Sequence, residues 1–175
     1  MKLTALNYAL LGLIQETPRS GYALRQVFES TPMGNFSSSP GSIYPALKKL
    51  NDAQLIRKAS GDNPKKSIFV ITDEGANMLD LWLNASVTEA DVNDNIDAVL
   101  LKFAFLQSVK DLSITHQFLS SSAQVLNVQI SELQSFLNSS QARSLSIHGR
   151  LAVENGLAGL KAHLVWTQRA KEKFE

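Results

Sequence analysis

Ser37-Ser38-Ser39-Pro40-Gly41-Ser42-Ile43-Tyr44-Pro45-Ala46-Leu47-Lys48-Lys49-Leu50-Asn51-Asp52-Ala53-Gln54-Leu55-Ile56 is the stretch on which the reading of this chain turns. It passes from a loop into a short helix with two unlike faces. Ile43, Ala46, Leu47, Leu50 and Ala53 recur three or four apart and form an apolar stripe. Ser42, Tyr44, Lys48 and Lys49 fall off that stripe and carry hydroxyls and ammoniums. A helix from Gly41 to Ala53 is about 20 Å long at ~1.5 Å per residue, long enough to lie in a major groove. Pro45 belongs in its first turn, where a missing N–H has no partner to lose. The serines before it then belong to a loop at a helix N-terminus, where free N–H groups favour a phosphate oxygen. Taken alone, the stretch reads equally as a recognition helix or as an ordinary amphipathic surface helix.

Its neighbours break that tie. Thr4 to Gln15 carries Leu6, Ala9, Leu10, Leu13 and Ile14 at helical spacing and predicts a buried first helix. Residues 17–21 form a turn, and Ser20 is placed to cap a second helix, 21–30. Its expected inner face is Tyr22, Leu24, Val27 and Phe28, with Arg25, Gln26 and Glu29 outside. Residues 30–40 keep no helix or strand period and read as loop, with Phe36 pinned to the core. Leu55 to Ser60 and Ser67 to Thr72 read as strands joined by the basic turn Gly61-Asp62-Asn63-Pro64-Lys65-Lys66. Thr72 then caps a fourth helix, 73–85, facing the core with Ala76, Leu79, Leu83 and Trp82. Three helices followed by such a hairpin is the winged-helix order.

The formal net charge is only +1, but its distribution is uneven. Residues 39–66 hold six basic side chains against two acidic, a local balance of +4, whereas residues 87–175 hold eight against nine. A basic patch on a near-neutral chain suits a nucleic-acid footprint, although basic solvated faces are common. Cysteine is absent, which excludes disulfides and thiolate metal sites and fits a reducing compartment. The apolar run 9–14 is too short for a secretory segment, and no run approaches the length of a membrane span. The expectation is a soluble, cytoplasmic protein.

The polar, acidic stretch 86–95 reads as a boundary between a domain at 1–86 and a helical domain at 87–175. Residues 95–108 form a strongly apolar helix through Ile96, Val99, Leu100, Phe103, Ala104 and Leu106. Beyond it, Leu119, Ala123, Leu126, Ile130, Leu133 and Leu137 alternate steps of four and three, an a/d seam nearly three heptads long. A last helix, about 145–173, carries a second seam at Val153, Leu157, Leu160 and Leu164. Gly149, Gly156 and Gly159 weaken it and make sense where another helix approaches closely. The seams fit either a helical hairpin within one chain or an antiparallel coiled-coil-like interface with a second subunit. Their length and narrowness favour the interface, built from Leu119, Leu126, Ile130, Leu133, Leu137, Leu157, Leu160 and Leu164.

Catalytic chemistry is missing. There is no phosphate-cradling glycine motif, no serine or cysteine in a nucleophile context, and no carboxylate pair on a common face. His116, His148 and His163 are not spaced to share a metal. No enzyme, metal site or cofactor is expected.

Residues 5–83 resemble the DNA-binding domain of the PadR-like transcriptional regulators. The matching stretches begin at Tyr8-Ala-Leu-Leu-Gly-Leu-Ile and Pro18-Arg-Ser-Gly-Tyr-Ala-Leu. They continue at Gly41-Ser-Ile-Tyr-Pro-Ala-Leu-Lys-Lys-Leu and Ile71-Thr-Asp-Glu-Gly. The second half, with Leu100-Leu-Lys-Phe-Ala-Phe-Leu, is similar to the larger subgroup that includes virulence-gene activators and phenolic-acid-responsive repressors. The resemblance implies a mainly α fold with a small β-hairpin: an N-terminal winged helix-turn-helix and a C-terminal long-helix dimerisation domain. It implies a homodimer on a pseudo-palindromic double-stranded DNA operator. The family's DNA contacts then fall on Ser38, Ser39, Ser42, Tyr44, Lys48 and Lys49, with wing contacts at Lys65 and Lys66. The wing departs from the family pattern: Asn63, Ser67 and Phe69 stand where Arg and a Lys-x-Tyr are common, which implies a weaker grip on the backbone. Some members release DNA when a small aromatic acid binds; here Trp82, Phe103, Phe105 and Trp166 are the rings to line such a pocket, against the plainer reading that they are core. The rival from another class is a helical interaction module whose winged helix binds a protein.

Overall fold

The computed structural model describes residues 3–30, 40–59 and 67–175. They divide into two compact units, residues 1–85 with 95–110, and residues 86–94 with 111–175.

In the first unit, α1 (Ala5–Glu16) begins at a capping box. The Thr4 hydroxyl accepts from the Asn7 N–H, and the Asn7 side chain accepts from the Thr4 N–H at 3.0 Å. Leu6, Ala9, Leu10, Leu11, Leu13 and Ile14 are all buried, so α1 is enclosed on nearly every side. α2 (Gly21–Ser30) starts where the Ser20 hydroxyl accepts from the Ala23 N–H at 3.1 Å, the cap expected from sequence. A turn of 3-10 helix, Pro40–Ser42, leads into α3 (Ile43–Asp52), and Pro45 lies in its first turn as expected.

The hairpin forms from β2 (Ile56–Ala59) and β3 (Ile68–Ile71), antiparallel with Ile56 opposite Ile71 and Ala59 opposite Ile68. Residues 17–21 hold more than a turn. Arg19–Ser20 forms a short strand, β1, opposite Phe69 and Ile68, giving a three-stranded sheet in the order β1-β3-β2. Two residues carry no propensity pattern, and only the facing edge of β3 makes them a strand. α3 is joined to β2 through Gln54 in the left-handed region (φ 58). Thr72 then ties the sheet to α4 (Asp73–Asn84): its hydroxyl accepts from the Gly75 N–H and lies 2.8 and 3.0 Å from the Gln54 and Leu55 carbonyls, as donor to them. Gly75 is required here, because a Cβ on it would lie 2.0 Å from the Leu55 carbonyl oxygen.

Stretch 86–95 is not a plain linker. The Thr88 and Asp91 side chains cap the start of α5 (Glu89–Phe105), which is interrupted at Asn95 by extended backbone (φ −168, ψ 91). The Asn95 side chain accepts from the Ala98 N–H and restarts the helix where sequence placed its beginning. Residues 95–110 pack with the first unit, so the compact units cut the chain differently from a single boundary at 86. The reason is the apolar face of Val99, Leu101, Phe105 and Leu106, all buried. Sequence reading turned this helix slightly: Leu100 and Phe103 are half-buried, and Leu101 is the enclosed residue. Phe105 lies on α1 at Gly12, whose added Cβ would meet the ring at 2.5 Å. Lys102, also buried, donates to the Ala85 carbonyl and lies 5.8 Å from the centroid of Trp82, which stacks on Tyr8.

The second unit is a helical hairpin: α6 (Leu112–Asn138), the single turn α7 (Ser140–Arg143) and α8 (Ile147–Lys171). α6 and α8 pack on each other within the chain, so the hairpin alternative accounts for at least part of both seams. A short connection makes that pairing local. Segment 86–94 is strapped to α6: the Val87 N–H donates to Ser121, Gln117 to Ser86, and Gln129 to Asn93. Leu119, Leu126 and Ile130 are buried, whereas Leu133, Leu137, Leu157, Leu160 and Leu164 are half-buried. Among the described residues, close helix approach at Gly156 and Gly159 is not met. A Cβ on Gly156 would stand 3.9 Å from Leu133, and one on Gly159 would meet nothing within 4 Å.

Candidate nucleic-acid interface

α3 builds the interface. Its inner face, Ile43, Ala46, Leu47 and Leu50, is buried in the first unit, which fixes the outer face to solvent. Tyr44 is 51% exposed, Lys48 is exposed, and Ser42 and Lys49 are half-buried. The sequence stripe therefore divided the helix correctly, with Ala53 half-buried at its end. The Tyr44 ring leans on the start of α2: a Cβ on Gly21 would stand 3.0 Å from it. Glycine at 21 lets the two helices come this close.

Two ion pairs mark the surface. The Lys48 ammonium lies 2.6 Å from the Asp52 carboxylate, one helical turn on. The hydrogen bond and charge of Asp52 push the Lys48 pKa up, so Lys48 is a firm cation. On α2 the Arg25 guanidinium lies 2.6 Å from Glu29, which raises its pKa, with smaller contributions from Tyr44 and Tyr22.

Tyr22 corrects the sequence reading. Expected on the inner face, it is 66% exposed. Residues two apart lie on opposite sides of a helix, so Tyr22 and Leu24 cannot share a face, and Leu24 is fully buried. The same periodicity could have placed Tyr22 outside. It borders an open groove of about 840 Å³ with Arg19, Ser20, Tyr44, Lys58 and Ser67. Arg25, Tyr22 and Lys58 thus join the surface around Tyr44, beyond the residues proposed from sequence. Ser38, Ser39, Lys65 and Lys66, together with Phe36, lie outside the described residues.

The rings suggested for an effector are not equivalent. Phe105 is buried on Gly12 and Trp82 is stacked on Tyr8, so both serve the packing of the first unit. Phe103 is half-buried in that unit, and Trp166 belongs to the second. Among the described residues no group of three His, Asp or Glu side chains is placed to hold a metal, and no helix is long and apolar enough to cross a membrane.

Residues 10–81 match the family described as the transcriptional regulator PadR-like family. The chain is 36% identical over 85 residues to the negative transcriptional regulator PadR of Bacillus subtilis (strain 168), a match covering 46% of each chain. It is 33% identical over 75 residues to the transcriptional regulator YqjI of Escherichia coli (strain K12), covering 43% of this chain and 36% of that one. The chain thus spans less than half the length of the curated relatives it matches. Among solved structures, it is similar to Bacillus subtilis PadR in complex with operator DNA (23% identity, 99% of both chains, TM-score 0.43). It is also similar to the PadR-like transcriptional regulator BC1756 from Bacillus cereus (21% identity, 97% of both chains, TM-score 0.42).

Proposed function

We propose that this chain, whose residues 10–81 match the transcriptional regulator PadR-like family, is a sequence-specific DNA-binding regulator acting as a homodimer. The observation that carries the reading is α3: its apolar face is locked in a core while Tyr44 and Lys48 stand out to solvent. Ser42 and Tyr44 hydrogen-bond DNA backbone or base edges, and Lys48, Lys49, Lys65 and Lys66 neutralise phosphates. Ser38 and Ser39 complete the contacts before the helix. The protein-binding alternative needs an exposed apolar patch on this face; on α3 the exposed residues are Tyr44, Pro45, Lys48 and Asp52, of which Pro45 alone is wholly apolar, which favours DNA.

Residues 1–86 serve as the DNA-binding domain and residues 87–175 as the dimerisation domain. Half-buried Leu133, Leu137, Leu157, Leu160 and Leu164 pair with a second copy, and exposed Ile147, Leu151 and Val165 form a separate apolar strip on α8. Dimerisation sets two α3 helices against two half-sites of a pseudo-palindromic operator. The protein works in the cytoplasm, where its DNA partner is. A small aromatic acid is the proposed effector, and a thermal-shift screen of phenolic acids without a hit removes that part.

The central test is selection of bound duplex from a random pool, which also gives half-site spacing. If each subunit meets about four phosphates, log K against log salt falls with a slope near −7. Retention of no duplex, or binding indifferent to salt, overturns the proposal.

A further inference from the structure

Each of the first two helices around the interface carries a basic side chain held by a carboxylate of its own helix. Lys48 is paired with Asp52 on α3 and Arg25 with Glu29 on α2, both at 2.6 Å and both i,i+4. Both members of the α3 pair are well exposed, at 78% and 58% for their side chains. Such pairs contribute little to the fold. Their placement matters more, because they sit beside Tyr44 and Tyr22 on the face turned to DNA. Resting on the DNA-binding reading, we propose that Asp52 and Glu29 are specificity-determining residues that hold Lys48 and Arg25 back from DNA of arbitrary sequence.

The physical argument compares two complexes. Sequence-independent binding is almost wholly electrostatic, each released counterion coming from a cation that meets a phosphate. A carboxylate that occupies the cation, and itself repels phosphate, lowers that affinity directly. On a cognate site, base contacts fix the helix in register and add a term of their own. An exposed pair is cheap to break, so a seated α3 can redirect the Lys48 ammonium to a phosphate. The loose complex offers no comparable gain. Asp52 and Glu29 therefore widen the gap between cognate and arbitrary DNA while weakening both.

The experiment uses the full chain, a duplex selected by it from a random pool, and a mixed-sequence duplex of equal length, titrated by fluorescence anisotropy at several salt concentrations. Asp52→Asn should raise affinity for the mixed duplex about five- to tenfold and affinity for the selected duplex less. The salt slope on the mixed duplex should steepen by roughly 2 per dimer, at ~0.9 for each ammonium released. Glu29→Gln should act in the same direction. Adding Lys48→Ala to Asp52→Asn should remove the gain. Unchanged affinity in Asp52→Asn, or a gain that survives Lys48→Ala, overturns the proposal. Loss confined to the selected duplex also overturns it, since Asp52 would then be reading a base. A wild-type chain that binds neither duplex instead sinks the DNA-binding reading, and this inference with it.

Discussion

The two units solve the burial problem differently. α1 in the first unit hides six apolar residues, two of them leucines with no exposed surface beside a third, Leu24, from α2. α8 in the second unit has Thr167 as its buried residue, while Leu157, Leu160 and Leu164 are half-covered and Ile147, Leu151 and Val165 are exposed. One region completes its core within the chain. The other, long enough for seven turns, has an apolar face left partly open. The proposed recognition helix α3 must be held rigidly, and a closed core does that. An open helical face is what a second copy would cover.

The sharpest way to break this contrast is to cut into each region and compare. Leu10→Ala in α1 should destabilise the first unit by about 2–5 kcal/mol, because a cavity opens where nothing can collapse. Chemical denaturation followed by circular dichroism reads it. Gly75→Ala comes next, at about 1–3 kcal/mol. Its methyl would press on backbone, the Leu55 carbonyl, and so must shift the joint between α3 and the sheet. On the open side, Leu160→Asp should leave the first unit's melting in place and convert dimer to monomer by sedimentation velocity. If Leu160→Asp unfolds the chain as Leu10→Ala does, α8 is core and the contrast fails.

How far sequence could see follows the same division. The caps at Ser20 and Thr72, the α3 stripe and the placement of Pro45 were legible, because each is a local rule obeyed within one turn of chain. β1 was not, since Arg19 and Ser20 become a strand only by meeting Phe69 and Ile68, some fifty residues away. Nor was the return of residues 95–110 to the first unit. That depends on Leu101 and Phe105 finding α1, which periodicity alone does not specify. The seams were visible as seams, but a heptad pattern names no partner, so their pairing within the chain had to come from structure. Tyr22 is a different kind of miss: the helical period by itself excludes it from Leu24's face.

The smallest effect separates the two regions by their caps. α4 in the first unit is started by the neutral hydroxyl of Thr72, whose removal in Thr72→Ala should cost about 1 kcal/mol at any pH. α6 in the second is started by Asp111, whose carboxylate accepts from the Ser113 N–H at 2.9 Å. Bonding to Ser113, first from its side chain and then its backbone, holds the Asp111 pKa below the ordinary carboxylate value of 3.8. A carboxyl with a lowered folded-state pKa stabilises above its unfolded-state value and loses that contribution as pH falls through the folded one. Acid should therefore loosen the start of α6 through this group and leave the Thr72 cap unaffected. Asparagine caps nearly as well but does not titrate. Asp111→Asn should thus melt like wild type at neutral pH and lose less than wild type below about pH 4. Thermal melts across pH read the difference; identical acid profiles for the two would mean that Asp111 holds α6 no more tightly charged than neutral.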